Sequence, residues 1–307
     1  MHRLTCIVSA FALLGTGLLS AAGDNDNQDV LEKVVHRTRD YGRNQGGGIV
    51  PITYHNGPVI LGGTHAYYIW YGGWTTTSSA GYDPMAANIL NHLIQNIGGS
   101  SYFNINATYY SGLATKSYVA NAVTLSGSCT DNYSQGTHLT DQSVANIVAS
   151  AIANCFRGQI DPSGVYFVLA SQDVKENSGF CSQYCGWHTY GTMNGAYVKF
   201  AFIGDSAQCI NSCSMFGTGG LTAPNGDPGA DGMASIIAHE LEESTTDPLL
   251  NAWYDATGAE NADKCAWTFG AVTGNSYNVT LGGMHYLIQQ NWVYNPSVSQ
   301  QGCAMAH

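Results

Sequence analysis

Ala238-His239-Glu240-Leu241-Glu242-Glu243-Ser244-Thr245-Thr246-Asp247-Pro248 sets three of this chain's glutamates within four residues, directly beside a histidine. Four of its six glutamates lie between Glu240 and Glu260. The window Asp227–Asp263 holds nine of the 21 acidic residues and not one Lys or Arg. Like charges this close repel, so a compact state that keeps them must offset them, and a bound cation does so with the fewest groups. His239 and Glu243 stand four apart, one turn along the same helix face, so their donor atoms converge. Glu240 is one step round the helix, able to reach a water at that point without aiming at the ion itself. This is the logic of the His-Glu-x-x-His helix of zinc peptidases, with Glu243 in place of the second His and Glu240 as general base. A carboxylate is a harder ligand than imidazole, so zinc is expected first, with calcium or manganese as alternatives. The competing reading is a solvated acidic face. Against it stand the scarcity of glutamate elsewhere and the apolar character of the rest of the helix.

The helix is predicted over Gly232–Thr246, with Asp231 as N-cap, Met233, Ile236, Ile237 and Leu241 facing the core, and Asp247-Pro248 as its end. A third ligand should come from Glu260 or Asp263 in Gly258-Ala259-Glu260-Asn261-Ala262-Asp263-Lys264-Cys265, pinned by a disulfide at Cys265, with the other residue orienting His239. Asp247 is a further alternative. His285, after Gly282-Gly283, is a transition-state donor, an alternative ligand or a hydrogen-bonded structural histidine. His55, His65 and His188 carry the same alternatives, with the structural reading preferred. No Gly-x-Ser-x-Gly elbow is present.

Upstream, Ala66–Tyr71, Tyr102–Tyr110, Val165–Ala170 and Tyr197–Ile203 read as strands. Helices are predicted from Asp83-Pro84, with Met85, Ile89, Leu93 and Ile97 in line, and over Thr140–Phe156, with Val144, Ile147, Val148, Ala151 and Ile152 as the apolar stripe. The order is strand, helix, strand, helix, strand, strand, helix. That order fits an α/β three-layer sandwich with a mixed β-sheet and a zincin-like metal helix, by fold analogy.

Residues 1–22 read as a signal peptide, with Arg3, an apolar run from Leu4 to Leu19 and small residues before Ala22. Residues 23–48 read as a flexible lead-in or propeptide, and 49–307 as one domain. Without the leader, nine basic and 21 acidic residues remain, a formal charge of −12. So acidic a chain excludes nucleic acid and anionic membrane surfaces as partners. The eight remaining cysteines imply four disulfides of open connectivity, in preference to a four-thiolate zinc knuckle from Cys181/Cys185 and Cys209/Cys213. Asn106, Asn132 and Asn278 begin sequons for N-glycosylation.

Tyr54-His55-Asn56-Gly57-Pro58-Val59 and Tyr67-Tyr68-Ile69-Trp70-Tyr71-Gly72-Gly73-Trp74 resemble the N-terminal signature of the Exordium-like (phosphate-induced protein) family. Phe180-Cys181…Cys185-Gly186, Ala223-Pro224-Asn225-Gly226-Asp227…Asp231-Gly232-Met233 and Asp247-Pro248…Asn251-Ala252-Trp253-Tyr254 carry the resemblance across most of residues 49–303. It implies an exported or cell-wall-associated protein, linked in plants to growth and cell expansion. Many plant members lack the His-Glu pair kept here at His239-Glu240, so the chain resembles a microbial branch.

Two functions are therefore expected. The first is a secreted zinc hydrolase, a peptidase acting on extracellular polypeptide or cell-wall substrate, with His239, Glu243 and Glu260 or Asp263 as ligands and Glu240 as base. The second is a non-catalytic extracellular Exordium-type protein with a structural cation, binding carbohydrate or protein through its aromatic surface. Oligomeric state is not legible.

Overall fold

The computed structural model describes residues 32–39, 50–218 and 220–307. The expected signal peptide and most of the expected lead-in lie outside the described residues. The exception is Val34–Arg37 (β1), which forms an edge strand of the central sheet inside the stretch expected to be flexible. Along the chain follow Thr64–Tyr71 (β2), Ala86–Ile97 (α1), Val123–Asp131 (β3), Asp141–Asn154 (α2), Gly164–Ala170 (β4), Tyr184–Met193 (β5), Ala196–Gly204 (β6) and Pro228–Thr246 (α3). The six strands run in the order β1-β5-β6-β4-β2-β3. The sheet is mixed: β6, β4, β2 and β3 are mutually parallel, while β5 is antiparallel to both β1 and β6.

Every residue of β4 is buried, as its unbroken apolar run requires of a strand covered on both faces. The coverings differ. Lys33 reaches Asp141 at the start of α2, with Nζ 2.6 Å from Oδ1, while His36 points to the opposite face and meets α3. Helix α1 packs beside α3. Its buried stripe is Ile89, Leu93 and Ile97, whereas Met85 is exposed. Asp83, expected as the N-cap, instead holds the turn leading into this helix, accepting from the Met85 and Ala86 amides, and Met85 is the N-cap residue. Thr140 caps α2 through the Ser143 amide.

Two further expectations about local structure fail. Tyr102–Tyr110 is not a strand; Phe103–Thr108 is a 3-10 helix. The Ser100 hydroxyl accepts from the Phe103 amide, and Asn106 is claimed by buried amide partners Asn261 and Asn291, so alternation along the segment is overridden. The sheet position goes instead to β3, whose polar alternation marks an edge strand with one exposed face. Helix α3 starts earlier than expected. Its N-cap is Asp227, which accepts from the Gly229 and Ala230 amides, with Pro228 at the first position. Asp231 sits in the first turn and binds the Asn225 amide and side chain.

All four disulfides form: Cys129–Cys155, Cys181–Cys209, Cys185–Cys213 and Cys265–Cys303. The two Cys-x-x-x-Cys pairs bond to each other in register, and each closure is worth about 3–4 kcal/mol on chain-entropy grounds. Of the three sequons, Asn106 is buried and Asn278 is locked by bonds to Phe269 and Ile288, so only Asn132 is exposed.

Asp205, just past β6, is buried and caps the turn at Ala207. Burial first, then the neighbouring charges of Asp227 and Asp83, push its carboxyl up to about 7. Between about pH 4 and pH 7 the folded chain therefore keeps a proton that the unfolded chain has released, so this group's contribution to stability falls as pH rises through that window. Asp205→Asn should flatten that slope and gain stability relative to the parent near pH 8, as measured by urea unfolding from pH 4 to pH 8. An unchanged slope would show that Asp205 is ionised throughout.

Candidate functional site

Helix α3 is buried from Gly229 to Thr246, so its carboxylates do not face solvent and the acidic-surface reading is excluded. His239 Nε2 lies 3.1 Å from Glu243 Oε1 and 3.7 Å from Asp263 Oδ1. One donor atom from each of these three residues falls within 4.8 Å of the others. The loop after Glu260 folds back as expected, held by Cys265–Cys303 and by the Asp263 amide donating to Glu243 Oε1 at 2.9 Å. Both competing residues arrive: Asp263 faces His239, and Glu260 Oε2 stands 3.5 Å from His188 Nε2. Asp263 is the member that opens to solvent, one-fifth exposed.

His188, expected to be structural, is part of the cluster. It projects from β5, with Nε2 3.4 Å from Glu243 Oε2, and with Glu240 and Glu243 it forms a second group of converging donors. Glu243 is thus shared, one oxygen to each histidine. Space for Glu240 comes from Gly186 on β5: a Cβ there would sit 2.6 Å from Ile236 and 3.1 Å from Glu240 Oε1. His239 is oriented from behind. Its Nδ1 meets Gln289 Nε2 at 2.6 Å and His36 Nδ1 at 2.7 Å. Neither His36 nor Gln289 carries a spacing signal, because both come from distant segments.

Electrostatics follow from burial. It would raise Glu243, but His239 and then His188 hold it well below the carboxylate range. It would lower both histidines, yet Glu243 carries His239 up to about 9, and Glu260 with Glu243 holds His188 well above the usual imidazole value. Burial and the charge of Glu243 push Asp263 up. Burial raises Glu240, Glu243 and Asp263 adding to the shift while His239 and His188 oppose it. Despite these pairings, His188 Nε2, His239 Nε2, both Glu240 oxygens, Glu243 Oε2 and Glu260 Oε2 are buried without a hydrogen-bond partner. Orphaned buried donors and acceptors of opposite kinds, facing one another, call for a group between them.

The remaining residues lie elsewhere. Asp247 spends its oxygens on the Asn251, Ala252 and Trp253 amides and holds the chain reversal after α3. His55 stacks on Tyr254 and His285 on Tyr277, while His65 pairs with Asp161.

Residues 52–304 match the family model described as the phosphate-induced protein 1 conserved region. The chain belongs to the Exordium-like, phosphate-induced protein family. It is 31% identical to Protein EXORDIUM-like 5 of Arabidopsis thaliana over 283 residues, covering 81% of this chain and 77% of that protein. It is 31% identical to Protein EXORDIUM-like 3 of the same plant, covering 80% and 81% of the two chains. Protein PHOSPHATE-INDUCED 1 of Nicotiana tabacum is 27% identical, with coverages of 81% and 86%. No solved structure matches. The family region contains every cluster residue except His36.

Glu242 lies apart from the cluster. Its Oε2 accepts from Asn291 Nδ2 within a buried set that includes Asn106. Burial raises it well above the usual carboxylate range, against the lowering effect of the Asn106 and Asn291 amides. Glu242→Gln should therefore cost less than about 1 kcal/mol, whereas Glu242→Ala, which strands the amides, should cost about 1–3 kcal/mol. Equal losses in urea unfolding would show that the amides gain nothing from an oxygen at this position.

Proposed function

We propose that this is an extracellular Exordium-type protein that holds a divalent cation, zinc in first place, between His239, Glu243 and Asp263, with His188 and Glu260 completing the surround. The observation that carries this reading is the convergence of one donor atom from each of these three residues within 4.8 Å, with His239 Nε2 lacking a hydrogen-bond partner. Ligands about 2.0–2.1 Å from a tetrahedral zinc stand about 3.3 Å from one another, and His239, Glu243 and Asp263 are spaced at 3.1 and 3.7 Å. Four disulfides and the family support an extracellular setting. Among the described residues no helix is long and apolar enough to cross a membrane. Membership of the Exordium-like family favours a non-catalytic protein with a structural cation over turnover.

Hydrolysis is the second reading, favoured by Glu240. A carboxylate without partners, buried beside the ligand set, has no structural task. A cation bound there would polarise a carbonyl and acidify a water. Glu240 would take that water's proton and pass it to the leaving group. Extracellular polypeptide is the substrate class this chemistry suits, with calcium or manganese as alternative ions.

Elemental analysis and calorimetry after chelation and reloading test the first reading. The parent should bind one equivalent of cation and gain thermal stability from it, and His239→Ala should lose both; unchanged metal content in that variant sinks the ligand assignment. Glu240→Gln separates the readings. Retained cation with peptide hydrolysis reduced about 10²–10⁴-fold marks a base, and absence of turnover in both parent and variant marks a structural ion.

A further inference from the structure

Strand β1 closes the cluster from outside the family region. It adds to the free edge of β5 in antiparallel register, Val34 opposite His188, Val35 opposite Trp187 and His36 opposite Gly186. The pairing continues through the Thr38 amide to the Gln183 carbonyl at 3.0 Å and through Thr189 Oγ1 to the Glu32 carbonyl. On its outer side Trp267 closes down, its Nε1 donating to the Arg37 carbonyl at 2.8 Å and its ring 5.0 Å from that of His36. His36 is 1% exposed and touches His239. Without β1 the row of β5 amides and carbonyls beside His188 would be an unpaired edge.

Two properties distinguish this strand from the rest of the sheet. The match to the family model begins at residue 52, beyond it. Its charge is also opposite to that of its site: Lys33, Arg37 and Arg39 outweigh Glu32 in a segment laid over the most acidic helix. A short, extended, basic segment held chiefly by main-chain pairing to an edge strand has the form of a bound peptide.

We propose that the edge of β5, bounded by Trp267, is a binding groove for an extended polypeptide, and that residues 32–39 are its intrachain occupant. The ligand class is an extended basic peptide running antiparallel to β5, with an imidazole entering beside His239 and a positive charge near Lys33. Main-chain pairing supplies the affinity and the buried imidazole the selectivity. Separating the segment from the core exposes the groove and gives a route to Glu240 along β5. The proposal goes beyond the cation reading and does not need it.

The test uses the full chain with one protease site inserted at Gly46-Gly47-Gly48. After cutting and washing, a labelled peptide of residues 32–39 is titrated by fluorescence anisotropy. The cut protein should bind one equivalent, the uncut protein none, and a peptide carrying His36→Ala should bind at least tenfold more weakly. A cut, washed protein that keeps its near-ultraviolet circular dichroism yet binds no peptide overturns the proposal, as does equal binding of a scrambled peptide. If washing unfolds the cut protein, hydrogen exchange on the uncut chain decides. Amides paired between β1 and β5 should open at least a hundredfold more often than the β4–β6 ladder, and exchange only through global unfolding overturns the groove. Neither readout involves a cation or turnover, so this inference and the cation site fail independently.

Discussion

Placing three glutamates of one helix in a dry interior is the constraint on which the rest of this structure depends. An isolated buried carboxylate costs several kcal/mol even after relaxation, and α3 buries Glu240, Glu242 and Glu243 together. Each is managed differently. Glu243 is ionised between two histidines. Glu242 rests one oxygen on the Asn291 amide, and burial raises its carboxyl well above the usual range. Glu240 has neither solution, and its unpartnered oxygens beside the ligand set are why a general base is proposed there.

The offsetting groups come from far along the chain, so much of the architecture serves to hold them in place. His188 rides on β5, whose N-terminal end is stapled by Cys185–Cys213. Glu260 and Asp263 sit on a loop fixed by Cys265–Cys303. Gln289 sets the ring of His239 while donating to the Ala262 carbonyl at 3.0 Å, linking ligand loop and helix. These ties order the donors before anything binds, which lowers the cost of binding. The same closure leaves Asp263 as the partly open member and puts β1 across the remaining approach.

Much of the framework was legible because local chemistry and tertiary packing agree. Asp83 holds the turn into α1, Thr140 caps α2, β4 is an apolar run covered on both faces, and Asp247-Pro248 ends α3. Legibility failed where a tertiary partner outweighed a local pattern. Phe103–Thr108 alternates like a strand but turns, because Asn106 is needed by Asn261 and Asn291. The sequon at that asparagine is closed for the same reason. Asp227 displaced Asp231 as the cap because Asn225 already occupies Asp231.

By itself, the sequence determined that His239 and Glu243 share a helix face, that Glu240 stands beside them, and that Glu260 and Asp263 follow within reach. Helical periodicity and the short link to Cys265 impose those relations locally. Only the tertiary structure decided that Glu243 divides its oxygens between two histidines, that His188 and His36 belong to the neighbourhood, and that Glu242 does not. Those outcomes depend on which strand forms the sheet edge beside α3 and on the absence of a side chain at Gly186. Such long-range pairings leave no periodic trace in the chain that makes them.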